Sequence, residues 1–86
     1  MKKSTSHRMM IRDEPSLHAA VIQATRVAQS AGLSRVAAQQ VATVTSELGR
    51  NILKYAAHGR LQLEVLERNG RRGVRVVATD WGPGIE

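Results

Sequence analysis

The chain has 86 residues, of which 42% are hydrophobic but only 2% aromatic, so it allows a single domain with a core of Val, Leu, Ile and Ala. The absence of cysteine excludes disulfide staples and zinc-thiolate sites, and no run approaches the roughly 20 apolar residues of a membrane span. Thirteen Lys and Arg against seven Asp and Glu leave a net charge of +6, which makes phosphate groups, nucleic acid or an acidic protein the partners to consider.

A domain this short buries only about 60–65% of the surface of its unfolded chain, so a marginal core is expected to need a partner, a ligand or further chain. Met1-Lys2-Lys3 leads into polar residues, not into a signal-peptide apolar region, and a soluble cytoplasmic protein is expected. The local basic groups, Lys2, Lys3, Arg8 and Arg12 and then Arg68, Arg71, Arg72 and Arg75, read as solvated surface.

Residues 1–6 read as a disordered start, and 7–11 as a short strand in which Met9 and Met10 are core filler. Asp13-Glu14-Pro15 opens a helix, because acidic groups suit the positive end of the helix dipole and Pro is tolerated in the first turn. Leu17, Ala20, Val21, Ala24, Val27, Ala28 and Ala31 follow at helical spacing, and Gly32 supplies a left-handed stop. Ser34 caps a second helix, with Leu33 before it as a hydrophobic staple. Its predicted apolar face is Ala37, Val41, Val44, Leu48, Ile52 and Tyr55, ending near His58-Gly59.

From Leu61 the period changes to two, and Asn69-Gly70 marks a hairpin with a type I′ turn. Counting outward sets Arg68 against Arg71, Glu67 against Arg72, Val65 against Val74, Leu63 against Val76 and Leu61 against Ala78. All but the first pair share one side, while the other side carries Glu64 against Arg75. The same alternation directs Asp80 toward the helix layer, where a carboxylate needs a partner. The expected class is therefore α+β, a two-layer α/β sandwich in the order β-α-α-β-β, with 7–86 as one domain.

Two features carry chemistry. Glu47 and Asn51 are four residues apart on one helix face, with Lys54 and Tyr55 a turn further; a carboxylate and an amide so stacked offer a proton acceptor and a hard oxygen ligand for Mg²⁺. Asp80, Gly82 and Gly84 form Asp-x-Gly-x-Gly after a strand, a pattern expected by chance on the order of 0.02 times in a chain of this length. Its content is a strand-end carboxylate followed by a backbone that approaches a ligand closely. His7, His18 and His58 show no ligand spacing.

Together, Thr45-Ser46-Glu47-Leu48-Gly49-Arg50-Asn51-Ile52-Leu53-Lys54-Tyr55-Ala56 and Asp80-Trp81-Gly82-Pro83-Gly84-Ile85 resemble the asparagine box and first glycine box of the Bergerat (GHKL) ATP-binding fold. Within it, the chain most resembles small bacterial serine/threonine kinases of the anti-sigma-factor and stressosome-switch group. The resemblance implies ATP and Mg²⁺ as cofactors and phosphoryl transfer to a STAS-domain antagonist or stressosome protein. It names a phosphatase or a sigma factor as further partners and leaves a homodimer open.

On that resemblance Glu47 is the catalytic base and Asn51 the Mg²⁺ ligand. Asp80 accepts the adenine amine, Gly82 and Gly84 form the adenine-side turn, Lys54 meets phosphate, and Tyr55 and Ile85 line the nucleotide. Kinases of this group continue into a lid and a second glycine box. The expectation is thus a chain cut after the first box, roughly two-thirds of a nucleotide-binding domain, with weak nucleotide binding and little activity. Two other readings compete. One is a non-catalytic regulator of the same fold; the other is a helix-turn-helix DNA-binding protein built on 31–37, with Arg35, Gln39 and Gln40 as base-contacting candidates.

Overall fold

The computed structural model describes residues 5–56 and 58–81. The order is β1 (Thr5–Ile11), α1 (Glu14–Ser30), α2 (Arg35–Tyr55), β2 (Gly59–Arg68) and β3 (Arg71–Asp80). The three strands form one antiparallel sheet in the order β1-β2-β3, and both helices cover the same face of it. The α+β class and the element order match the sequence expectation. The first strand starts two residues before the expected boundary, since Thr5 and Ser6 pair with Val65 and Glu64.

Both helix starts follow from their caps. The Asp13 side chain accepts from the Ser16 N–H at 2.9 Å, and Ser16 Oγ accepts from the Asp13 N–H at 3.1 Å, a reciprocal capping box with Pro15 in the first turn. Ser34 Oγ accepts from the Ala37 N–H at 3.1 Å at the start of α2. Gly32, at φ +87°, ends α1: its N–H reaches Gln29 O at 3.0 Å and the Leu33 N–H reaches Ala28 O at 3.1 Å, the paired bonds of a Schellman motif. Arg72, reaching across from β3, donates to Ala31 O at 3.2 Å. The last turn of α1 has no basic residue of its own, so the sheet supplies the cation that its negative end favours.

The hairpin register is the one counted from the turn, pair for pair, with Asn69 at φ +54° and Gly70 at φ +78°. It buries Leu61 and Leu63 under the helices. Leu63 joins Ala24, Val27, Ala28, Ala38 and Val41, and Leu61 joins Ile11, Ala20 and Ile52. On the opposite face, Arg75 Nε donates to Glu64 Oε1 at 2.8 Å. The other expected charge pair is not used in this way, because Arg72, opposite Glu67, turns to the end of α1. Of the two methionines read as core, Met9 packs inward while Met10 faces out, 41% exposed, as strand alternation requires.

The face of α2 differs from the expected one. Its buried residues are Ala38, Val41, Thr45, Gly49 and Ile52, whereas Val44 is 42% and Tyr55 66% exposed. The helix ends at Tyr55, three residues before His58, with Ala56 in extended conformation. The reason is packing against α1. A Cβ on Gly49 would stand 2.2 Å from Leu17 Cδ1, so the helices approach through small residues that an apolar count overlooks. Thr45 is accommodated there because its Oγ1 donates to Val41 O at 2.8 Å, leaving no unmet buried hydroxyl.

The cap at Asp13 carries a pH dependence. The Ser16 backbone N–H, and then its hydroxyl, hold the Asp13 carboxyl below its ordinary value of 3.8. A depressed folded value stabilises above the unfolded one, and that stability is lost as the pH falls below 3.8 toward the folded value. In urea melts between about pH 5 and pH 2.5, Asp13→Ser, which keeps an acceptor without a titrating group, is expected to lose stability less steeply than the parent. Equal slopes would remove Asp13 as a source of acid sensitivity.

Candidate functional site

The segment 45–56 serves two faces of one helix. Thr45, Gly49 and Ile52 are buried and hold α2 in place, while Glu47, Asn51 and Lys54 lie on the other side, exposed. The expected pairing of Glu47 with Asn51 at one turn's spacing is therefore present on a free helix face. Lys54 Nζ lies 5.2 Å from the centroid of the Tyr55 ring, within reach of a cation–π contact. Arg50 Nη1 lies 3.6 Å from Glu14 Oε2, an exposed pair that contributes little to stability but links α2 to the first turn of α1.

Asp80 closes β3 opposite Gly59, on the same side of the sheet as Val74 and Val76, as the alternation requires. It is exposed there. The close approach that sets its position belongs to Gly59. A Cβ at Gly59 would meet Thr79 O at 2.6 Å, Ile52 Cγ2 at 3.0 Å and the Cα of Asp80 at 3.1 Å. The end of β3 and the last turns of α2 thus meet over a residue with no side chain. This brings Asp80 to the same end of the molecule as Asn51, the neighbour of Ile52. The junction is closed by the Trp81 N–H donating to His58 O at 3.3 Å, with the two rings 5.0 Å apart.

Gly82, Gly84 and Ile85, the other expected contributors, lie outside the described residues. Clefts among the described residues open elsewhere. One, of about 550 Å³, lies between the second half of α1 and the ends of β1 and β2, and includes His7, Gln23, Arg26 and Arg72. Another, of about 360 Å³, lies between the first half of α2 and β3, and includes Leu33, Val41, Val44, Val74 and Val76. Neither is lined by Glu47, Asn51 or Asp80. Among the described residues no group of three or more His, Asp or Glu converges. No helix among them is long and apolar enough to cross a membrane.

Gly59 was the residue the sequence reading missed. It marked only the end of a helix there, although a glycine directly before a run of alternating apolar residues is a signal of close backbone approach. The helix-turn-helix candidates Arg35, Gln39 and Gln40 are exposed at the start of α2. Gln40, however, borders the cleft formed with β3, so the sheet edge flanks the turns that would have to enter a DNA groove.

Part of the chain is similar to the serine/threonine-protein kinase RsbT of Bacillus subtilis (strain 168), with 39% identity over 59 residues. The match covers 69% of this chain and 44% of that kinase, so the chain accounts for less than half of its relative's length. No protein-family model matches the chain, and no solved structure matches it.

The Gly59 contact is testable. Gly59→Ala forces a methyl against a backbone oxygen that cannot rotate away, and a cost of about 1–3 kcal/mol is expected in chemical denaturation. Amide shifts in the variant should concentrate at Ile52, Thr79 and Asp80. Unchanged stability and unchanged shifts would show that the junction is loose.

Proposed function

We propose that this chain carries the adenine-nucleotide site of a serine/threonine protein kinase with a Bergerat-type fold, acting on a STAS-domain partner in bacterial stress or sigma-factor regulation. The observation that carries the reading is the junction at Gly59, which sets a strand-end carboxylate beside a helix whose exposed stripe holds a carboxylate, an amide and an amine. The partial similarity to a serine/threonine kinase supports it.

The donor set fits MgATP. The Asn51 amide oxygen is a hard ligand on an exposed helix face, suited to an ion that keeps several waters and takes its remaining oxygens from phosphates. Lys54, one turn on, is a point charge for phosphate. Asp80 offers an acceptor for an adenine amine and Tyr55 an apolar wall, while Gly82, Gly84 and Ile85 take the nucleotide-binding roles that the sequence resemblance gives them.

When bound, MgATP supplies the transferable phosphoryl group and an electrophilic phosphorus. Glu47 takes the proton of the attacking Ser or Thr hydroxyl as its oxygen bonds to the γ-phosphorus; the bond to the bridging oxygen breaks and ADP leaves. Asn51, Lys54 and Asp80 act by holding the reactants in line and neutralising charge, which is most of what such a transfer asks of a protein.

Phosphate transfer from radiolabelled ATP to a purified STAS-domain protein is expected to fall by about 10²–10⁴-fold in Glu47→Ala, with nucleotide binding retained. Transfer that the substitution leaves unchanged removes the base assignment, and no transfer by the parent itself favours the non-catalytic regulator. Asp80→Asn replaces a charged acceptor by an amide, so Mg²⁺-dependent ATP affinity measured by calorimetry is expected to fall about tenfold or more, with the circular dichroism spectrum unchanged. Equal affinity in parent and variant would end the adenine role of Asp80.

A further inference from the structure

The sheet face turned away from both helices carries an excess of positive charge. By register, Arg8, Arg60, Arg68, Arg71 and Arg75 all fall on it, against one carboxylate, Glu64. That carboxylate is taken: Arg75 Nε donates to one oxygen at 2.8 Å and Gln62 Nε2 to the other at 3.0 Å. Among the described residues, neither Arg8 nor Arg60 has an ion-pair partner. Arg60 sits in the middle strand between Met10 and Thr79, and its Nε is buried without a hydrogen-bond partner. A buried N–H of a charged group without an acceptor is costly and calls for an explanation. Around it polar Gln62 and Thr79 alternate with exposed apolar groups, Met10 at 41%, Val77 at 39% and Trp81 at 48%.

We propose that this outer sheet face docks an acidic protein surface, a helix whose Asp or Glu side chains meet Arg60 and Arg8 while its aliphatic side chains pack on Met10 and Val77. Charge selects the sign of the partner and the interleaved aliphatic groups select its class. Single-stranded nucleic acid would need aromatic platforms spaced along the sheet, whereas the ring pair that parity puts on this side, His58 with Trp81, sits at its end, beyond Arg60 and Thr79. An anionic membrane would need apolar groups that reach several ångströms into the acyl layer, and Met10 and Val77 on a flat sheet are too short. The face lies across the sheet from α2, which carries Glu47 and Asn51, so the docking does not depend on the nucleotide site.

The test is a titration of the ¹⁵N-labelled full chain with a capped helical peptide of Glu and Leu at i, i+4 spacing. The same peptide with Gln for Glu, phosphatidylserine vesicles and a DNA duplex are run in parallel. The Glu peptide is expected to shift the amides of Met10, Arg60 and Val77, and the Gln peptide to do so at least about tenfold more weakly. Arg60→Met keeps the aliphatic stem and removes the unmet nitrogen. It should weaken binding about tenfold or more while its melting temperature equals or exceeds that of the parent. Arg8→Gln, at an exposed position, should also weaken binding without touching the fold. A lower melting temperature for Arg60→Met with unchanged peptide affinity would make Arg60 purely structural and overturn the proposal. Vesicles or DNA shifting the same amides more tightly than the peptide would overturn it in favour of that other partner, and shifts confined to α2 would overturn the location.

Discussion

The two residues of the hairpin turn govern the rest of the molecule. Asn69 and Gly70 both stand at positive φ, which joins β2 and β3 with a two-residue loop and leaves the register no freedom. Because side chains alternate with a period of two, a slip of one residue would carry Leu61 and Leu63 from the core to solvent and Glu64 and Arg75 under the helices. The same parity brings Asp80 to the helix side of the sheet, opposite Gly59, and Arg60 to the outer side. The placement of Asp80 and that of Arg60 thus follow from one turn.

The second constraint is the width of α2. Its inner side is narrow where it meets α1, through Ala38, Thr45 and Gly49, which lets Leu17 occupy the space a larger residue would fill. This close seat rotates the helix so that Glu47, Asn51 and Lys54 face outward together while Val44 is left beside β3. A motif that reads as chemistry is therefore half architecture. The buried positions of the segment set where its polar positions point.

Charge follows the same division. Of the basic residues, Arg72 is drawn to the carbonyl end of α1 and Arg75 to Glu64, and these have structural work. Arg8 and Arg60 have no ion-pair partner among the described residues, and five arginines share with one carboxylate the sheet face that carries them. The basic groups read as solvated surface, with Arg8, Arg12, Arg68, Arg71, Arg72 and Arg75 among them, are exposed, but adjacency in sequence does not tell which side of a strand a charge occupies once three strands are aligned.

The sequence by itself determined the local structure: the Asp13 and Ser34 caps, the Gly32 stop, the hairpin and its whole register. Each depends on a few adjacent residues whose conformational preferences are strong. It also showed that Glu47 shares a face with Asn51, since helical periodicity is local. Only the tertiary structure decided which stripe of α2 is buried, because that depends on Leu17 from another helix filling the space at Gly49. It alone assigned Gly59 its role, since Thr79 and Ile52 approach that glycine from elements distant in sequence. And it alone left the Arg60 Nε without a hydrogen-bond partner among the described residues, because a polar group counts as satisfied or not only when every neighbouring strand is in place.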